Sequence, residues 1–233
     1  MEEKQVCNVG VRTILLLLFF AAMSAASVAA SGETVSIRSA NGANDSTVTV
    51  QVSLANATEI TGVSPTITYD PSVVRVQSMT VNTSVVAMTQ QGDPSIDNIA
   101  GQAKIALTAS WPGITITDAT PIADVTFHLI GGNGLSTDLE FIDTDMMLSG
   151  ADFTVFPPAT IENGSVTIFM KGDFNGNSMI DVGDVAKIAN LQLGNIPTTP
   201  EDIAKGDFNG NGLIDVGDVA KLANYQLGNI NEL

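Results

Sequence analysis

The chain has 233 residues, of which 44% are hydrophobic and 15% are charged, and its formal net charge is −16. This composition is typical of a globular protein with room for one sandwich-sized domain and a second, smaller one. A strongly acidic surface repels phosphate backbones and anionic membranes, which argues against nucleic-acid binding.

The N-terminal segment has the layout of a signal peptide. Lys4 and Arg12 precede an uninterrupted apolar run over residues 14–23, and small residues follow up to Ala30. We expect cleavage after Ala30 and a secreted protein, extracellular or held at the cell surface by a partner; an uncleaved anchor is the alternative. The only cysteine, Cys7, would leave with the signal, so no disulfide can stabilise the mature protein.

Residues 31–170 show the period-two alternation of half-buried strands, separated by Gly, Asn, Asp and Pro. The clearest runs are 48–54, 74–76, 105–107, 125–129 and 166–168. Many short strands in about 140 residues predict a mainly β protein with an antiparallel β-sandwich or jelly roll.

A tandem repeat follows the predicted strands. Residues 172–195 recur as residues 206–229, and 20 of the 24 aligned positions are identical at an offset of 34 residues. Chance does not produce such a match, so the C-terminal segment consists of two copies of one structural unit.

Each copy carries oxygen-bearing side chains at positions 1, 3, 5, 9 and 12 of a loop, which is the EF-hand spacing for calcium. The predicted ligands are Asp173, Asn175, Asn177, Asp181 and Asp184 in the first loop and Asp207, Asn209, Asn211, Asp215 and Asp218 in the second, with the position 7 carbonyls of Met179 and Leu213. Two calcium ions are therefore expected. An Asp- and Asn-rich turn without metal is the alternative, but it explains one such loop better than two in tandem.

The loops depart from the EF-hand rule at two positions. Position 12 is Asp rather than Glu, so its shorter side chain must be brought nearer to the ion by the backbone. Position 6 is Gly212 in the second loop but Ser178 in the first, where the turn favours positive φ. We therefore expect the first loop to bind calcium more weakly.

A helix is predicted after each loop. Asp181 and Asp215 can cap these helices, and Gly194 and Gly228 can end them about three turns later. The incoming helix of an EF-hand is not expected, because an alternating strand pattern precedes the first loop and a Pro-containing connector precedes the second.

Two loop-helix units with Asp at position 12 resemble the dockerin family over residues 171–230, and we place this domain at 171–233. The resemblance implies calcium-dependent binding to a cohesin on a partner protein. The recognition positions it implies are Val182, Gly183, Ala189, Asn190, Val216, Gly217, Ala223 and Asn224. Because this set is apolar where many cellulosomal dockerins carry hydroxyl and basic residues, we do not expect a typical cellulosomal cohesin as the partner.

Residues 31–170 resemble a cohesin. The resemblance rests on the segments 47–56 and 67–76, with the corner Tyr69-Asp70-Pro71, and on the later segments 122–127 and 163–168. Cohesins bind dockerins on a flat sheet face. Here that face would include the outward residues near Thr66, Thr68, Lys104, Ala106 and Thr108, although ordinary solvent-facing strand residues would look the same.

The sequence offers no catalytic residues. His128, the only histidine, lies in a predicted strand and is expected to face solvent, and no thiol remains in the mature chain. Asp143 and Asp145 are explained by a turn. We therefore do not expect an enzyme.

Two functions fit these observations. The first is an adaptor that links extracellular proteins, through its cohesin-like domain and its dockerin-like domain, in a polysaccharide-degrading or cell-surface complex; head-to-tail self-association would follow if the two were complementary. The second is a carbohydrate-binding module tethered by a dockerin, which the shortage of aromatic residues in 31–170 disfavours. Because no spacer separates the two domains, we expect them to be in contact.

Overall fold

The computed structural model describes residues 32–83 and 87–233. The predicted signal peptide, its cleavage site and Cys7 lie outside the described residues. Seventeen strands and three helices are described, and the prediction of a mainly β sandwich followed by a small helical part is confirmed.

The strands are β1 Thr34–Ile37, β2 Ala40–Ala43, β3 Thr47–Ala55, β4 Ala57–Val63, β5 Thr66–Thr68, β6 Val74–Val81, β7 Met88–Gln90, β8 Ser95–Asp97, β9 Gln102–Lys104, β10 Leu107–Ala109, β11 Ile114–Ile116, β12 Thr120–Leu129, β13 Ser136–Phe141, β14 Leu148–Gly150, β15 Val155–Phe156, β16 Thr160–Glu162 and β17 Gly164–Phe169. The helices are α1 Val182–Gln192, α2 Pro200–Gly206 and α3 Val216–Gln226.

Three hydrogen-bonded sheets enclose one apolar core. The first has the order β16-β1-β3-β12-β6, the second β15-β14-β4-β10-β7 with β11 also paired to β4, and the third β2-β17-β13-β5-β9-β8. Antiparallel pairing of β3 with β12 brings Val50 opposite Val125. Both side chains are buried, as alternation along a half-buried strand requires.

Residues 105–107, predicted to form one strand, lie where one strand has ended and the next begins. β9 ends at Lys104 and pairs with β5 in the third sheet, whereas β10 begins at Leu107 and pairs with β4 in the second. The chain therefore crosses from one sheet to another at residues 105–106, and Ile105 donates its backbone N–H to the carbonyl of Pro65 at 3.2 Å.

The Tyr69-Asp70-Pro71 corner is fixed by a partly buried hydrogen-bond network. The Tyr69 hydroxyl donates to Asn98 Oδ1 at 2.8 Å, and the same oxygen accepts the backbone N–H of Val76 at 2.8 Å. The Tyr69 ring meets Phe127 edge to face at a centroid distance of 5.6 Å. Burial raises the pKa of Tyr69, because it disfavours the ionised phenolate.

The helical part has its own small core, formed by Phe174, Ile188, Leu191 and Leu222. α1 packs against α3 across this core. No helix among the described residues is both long enough and apolar enough to cross a membrane.

The Pro-containing connector before the second loop is a helix, which corrects the sequence prediction. α2 begins after Thr199, whose hydroxyl accepts the backbone N–H of Asp202 at 3.1 Å, and Pro200 occupies the first turn. The first loop follows β17 directly, as predicted. Only the second loop therefore has an incoming helix, and that helix is short.

The sandwich and the helical part are in contact, as the missing spacer predicts. The Lys205 ammonium lies 5.6 Å from the centroid of the Phe169 ring, in cation–π range, and pairs with Glu201 at 2.9 Å. α2 also lies against β2. Two cavities, of about 460 Å³ and about 180 Å³, are lined by residues of both parts.

Candidate functional site

The first aspartate of each repeated loop organises the turn around it. Asp173 Oδ1 accepts the backbone N–H groups of Gly176 at 2.7 Å and Asn177 at 3.2 Å, while its Oδ2 accepts that of Ser178 at 2.9 Å. Asp173 is only 6% exposed. A carboxylate so fixed by three backbone donors anchors the loop at its start.

The second loop repeats this geometry. Asp207 accepts the backbone N–H groups of Gly210 at 2.7 Å, Asn211 at 3.1 Å and Gly212 at 2.8 Å. Each distance is within 0.1 Å of its counterpart in the first loop. The sequence repeat is therefore also a repeat of structure.

The asparagines at positions 3 and 5 continue the turn. Asn175 Oδ1 accepts the Asn177 backbone N–H at 2.9 Å, and Asn177 Oδ1 accepts that of Met179 at 2.9 Å. The Asn177 amide also donates to Asp181 Oδ2 at 2.9 Å, which brings positions 5 and 9 together. In the second loop the same contacts join Asn209, Asn211, Leu213 and Asp215.

The aspartate at position 12 is buried in both loops, with 0% exposure for Asp184 and 1% for Asp218. Asp184 Oδ1 accepts the backbone N–H of Phe174 at 2.8 Å, and its Oδ2 accepts that of Asp181 at 2.9 Å. Burying an uncompensated carboxylate costs several kcal/mol, so these donors are needed to hold it. Because Asp184 lies in the first turn of the helix, its short side chain reaches backbone N–H groups in both the early and the late part of the loop.

The predicted helix caps are confirmed. Asp181 is the N-cap of α1 and accepts the Gly183 backbone N–H at 2.7 Å; Asp215 does the same for α3 with Gly217 at 2.6 Å. The pKa of Asp181 is lowered, chiefly by the hydrogen bond from the Asn177 side chain and then by that from Gly183. Asp215 has a lowered pKa for the equivalent reasons.

Both helices end at the predicted glycines in a Schellman motif. Gly194 has φ 72° and donates to the carbonyl of Leu191, while Asn195 donates to that of Asn190. Gly228 has φ 74° and Asn229 repeats the second bond to Asn224. The loop-helix unit is thus closed at both ends.

The donor set of each loop fits a hard cation. It consists of three carboxylates, two carboxamide oxygens and one main-chain carbonyl, and it contains no nitrogen or sulfur ligand, as calcium prefers. In the part of the chain that the structure describes, no three His, Cys, Asp or Glu side chains are grouped as a metal site. The case for calcium therefore rests on the mixed Asp and Asn donor set and on the spacing of these residues along a tightly turned loop.

Position 6 has positive φ in both loops, at 65° for Ser178 and 83° for Gly212. The sequence expectation of a left-handed residue at this position is confirmed. Ser178 bears the steric cost that a side chain has there, whereas Gly212 does not.

The predicted recognition positions are uncharged residues of α1 and α3. Val182 and Val216 are 72% and 71% exposed. Gly183, Gly217, Asn190 and Asn224 are also exposed, and Ala189 and Ala223 are half-buried. None of the eight lines the cavities between the sandwich and the helical part. Sequence reasoning missed the exposed Leu193 and Leu227, at 67% and 70%, which add apolar area beside these positions.

The residues predicted for a docking face of the sandwich do not lie together on one sheet. Thr66 is 4% exposed and faces inward, and Thr68 and Lys104 belong to the third sheet. Ala106 and Thr108 instead lie at the second sheet, where they line a shallow depression of about 250 Å³. The other members of its lining are Gly62, Val63, Ser64, Leu107, Met147, Leu148, Ser149 and Val155.

The residues weighed for catalysis belong to the sandwich. His128 Nε2 lies 3.0 Å from Asp45 Oδ1 on the first sheet, with its side chain 32% exposed. Asp143 and Asp145 lie in a turn, as predicted, and Asp145 is 3.9 Å from the Lys104 ammonium.

Comparisons with known proteins assign both parts of the chain. The model of the cohesin domain matches residues 34–168, and that of the dockerin type I domain matches residues 171–230. No curated protein sequence matches this chain.

One solved cohesin structure shares the fold of the sandwich at a TM-score of 0.50, and two others are similar to this chain. The third cohesin ScaC of Acetivibrio cellulolyticus, solved with the ScaB dockerin in a type I interaction, is 17% identical with a TM-score of 0.50, covering 59% of this chain and 99% of that one. A non-cellulosomal cohesin from Archaeoglobus fulgidus is 21% identical with a TM-score of 0.48, covering 58% and 90%. The cohesin CaCohA2 of Clostridium acetobutylicum is 18% identical with a TM-score of 0.47, covering 59% and 90%.

The two domain models match the residues that form the sandwich, with its Tyr-Asp-Pro corner, and the two capped loop-helix units. Together they cover nearly all of the described residues. The chain belongs to the cohesin family, and its cohesin domain is followed by a type I dockerin domain.

Proposed function

We propose that this protein is a secreted, non-catalytic adaptor that links extracellular proteins through calcium-dependent cohesin–dockerin contacts. The single observation that supports this most strongly is the presence, in one chain, of a cohesin domain and a type I dockerin domain, both of which are protein interaction modules. Such a chain can bind one partner through each module. A polysaccharide-degrading or cell-surface complex is the setting we propose.

Calcium is proposed to bind each loop through the oxygens of positions 1, 3, 5, 7, 9 and 12. The ion would balance the negative charge of the three carboxylates in each loop, while Asp184 and Asp218 hold the start of the helix against the loop. Because these side chains connect loop and helix, we expect calcium to order both together.

We propose that the dockerin presents Val182 and Val216, with the small residues beside them, to a cohesin partner. The sandwich is proposed to receive a dockerin at the depression on the second sheet. This depression is supported as a docking surface by its apolar, uncharged lining and by the exposed Val155, whose side chain is 64% exposed.

Calcium titration of the exported protein, by calorimetry and circular dichroism, tests this function. We expect two binding events with a gain of helix, and the loss of one event in each of the variants Asp173→Ala and Asp207→Ala. The control is Asp152→Ala, which removes an exposed turn carboxylate of the sandwich bonded to Thr154. Absence of binding at millimolar calcium, which is the weak end of the EF-hand range, would contradict the proposal.

A carbohydrate-binding module tethered by the dockerin is the second candidate. One observation favours it: Trp111 and Phe153 are 74% and 83% exposed, on turns of the sandwich. Rings so exposed could stack on sugars. Retention on an insoluble polysaccharide that Trp111→Ala abolishes would support this candidate over the adaptor.

A further inference from the structure

Two surfaces of this chain lack charge although the protein as a whole is strongly acidic. The depression on the second sheet has ten lining residues, none of them charged. The recognition surface of the dockerin, defined by the eight residues named above, is also uncharged. Elsewhere, a net charge of −16 makes two copies of this protein repel each other.

We propose that the occupant of the depression is the dockerin recognition surface of a second copy of this chain. This inference rests on the proposed function of the two modules. A partner whose recognition surface is basic would find no acid in the depression to pair with, whereas an apolar surface loses nothing by burying it. The chain itself carries such a surface.

Both surfaces also expose aliphatic side chains. The exposed Met147 and Val155 line the depression, whereas the space beside Gly62 is already filled by the Ser149 hydroxyl of the same chain. On the dockerin, Val182 and Val216 project into solvent next to glycines. Aliphatic side chains that are exposed on both surfaces bury apolar area when they pack against each other, as a docking surface needs.

The dockerin of a chain does not reach the depression of the same chain. The dockerin follows β17 without a spacer and lies against the third sheet, where Lys205 contacts the Phe169 ring. Ser178 also lies close to Gly134, since its Oγ would be 3.9 Å from a Cβ at that glycine. The depression belongs to the second sheet. The contact therefore joins different molecules head to tail, and such a heterologous contact propagates into linear assemblies.

Analytical ultracentrifugation of the exported protein tests the proposal. In calcium we expect a mass that rises with protein concentration, and a monomer after chelation. Val155→Asp and the double variant Val182→Asp with Val216→Asp should each weaken association at least about tenfold, since each places a charge on one of the two apolar surfaces. The matched control Ile99→Asp alters a residue that is 94% exposed on another turn, and it should assemble like the wild type.

Mixing Val155→Asp with the double variant Val182→Asp and Val216→Asp gives the sharpest result. Each retains one intact surface, so an equimolar mixture should form heterodimers and nothing larger. A monomeric wild type in calcium at about 0.1 mM, or assembly that both variants leave unchanged, would overturn the proposal. Circular dichroism of the same samples separates the two ideas: helix gain without association rejects only self-association, whereas no helix gain in calcium rejects the proposed function as well.

Discussion

Ser178 is the residue at which the two nearly identical loops differ most in backbone strain. It has φ 65° with a side chain, whereas Gly212 has φ 83° without one. A non-glycine residue in the left-handed region costs about 1 kcal/mol. We therefore expect Ser178→Gly to raise the calcium affinity of the first loop by roughly fivefold, measured by calorimetry.

The reciprocal variant is the control for this prediction. Gly212→Ser should weaken the second loop by a similar factor, and the double exchange should interchange the two affinities. Equal affinities in the wild type, or no effect of either change, would show that backbone strain at position 6 does not limit binding.

Asp70, in the sandwich corner, gives a prediction about pH. Its pKa is lowered from 3.8 by hydrogen bonds from the Ser72 hydroxyl at 2.6 Å and the Ser72 backbone N–H at 2.8 Å. A carboxyl whose folded pKa is lowered stabilises the protein above its unfolded pKa, and this contribution is lost as pH falls through the folded value. Asp70→Asn should therefore lower stability near neutral pH and flatten the loss of stability below about pH 4.

Urea unfolding across this pH range measures the difference. The wild type and Asp70→Asn should converge in stability as pH falls, because the wild-type carboxyl then becomes neutral too. Parallel curves over the whole range would show that the charge of Asp70 is not what Ser72 stabilises.

At the scale of elements, capping residues define the loop-helix units. Gly194, with φ 72°, lets the carbonyls of Asn190 and Leu191 be satisfied at the end of α1. Gly194→Ala should destabilise this end by about 1 kcal/mol, since alanine resists a left-handed conformation. Thermal unfolding of the calcium-bound protein measures the effect, and Gly228→Ala at the equivalent end of α3 should match it; unequal effects would mean that the helix ends are not equivalent.

The sequence predicted those elements whose pattern is local. β3, β12 and β17 were predicted from alternation, and α1 and α3 from an aspartate cap and a terminal glycine. α2 was missed because seven residues are too few for periodicity, although Thr199-Pro200 and Asp202 form a recognisable capping signal. Alternation over residues 105–107 did not reveal the crossing between sheets, because which strand pairs with which depends on distant residues.

The predicted docking face failed for the same reason, because the pairing of strands depends on residues that are distant in the sequence. Thr66 and Thr108 both read as outward residues of strands in sequence. Thr66 instead lies in β5, between β9 and β13, and is buried, whereas Thr108 lies in the depression of the second sheet. Ligand spacing within a loop is set by neighbouring residues, so the loop residues could be predicted while the face could not.

At the scale of the whole molecule, the first residues of the two loops are buried to different extents. Asp173 and Phe174 are buried, whereas their counterparts Asp207 and Phe208 are half-buried. The first loop supplies Asp173, Gly176 and Ser178 to the smaller cavity shared with the sandwich. The two nearly identical repeats therefore have different surroundings, and the first loop is the one that lies against the sandwich.

This connection predicts a fixed arrangement of the two modules when calcium is bound. Small-angle scattering of the Val155→Asp variant, which keeps the protein monomeric if the chains assemble as proposed, should fit one compact arrangement in calcium. Lys205→Ala removes the cation beside the Phe169 ring and its ion pair with Glu201, so the maximum dimension should increase. Lys221→Ala removes a similar cation, 5.9 Å from the Phe208 ring within the dockerin, and should leave the maximum dimension unchanged. Scattering that requires two freely moving bodies without any substitution would show that the contact does not hold the modules together, and that the inequality of the two repeats is not maintained in solution.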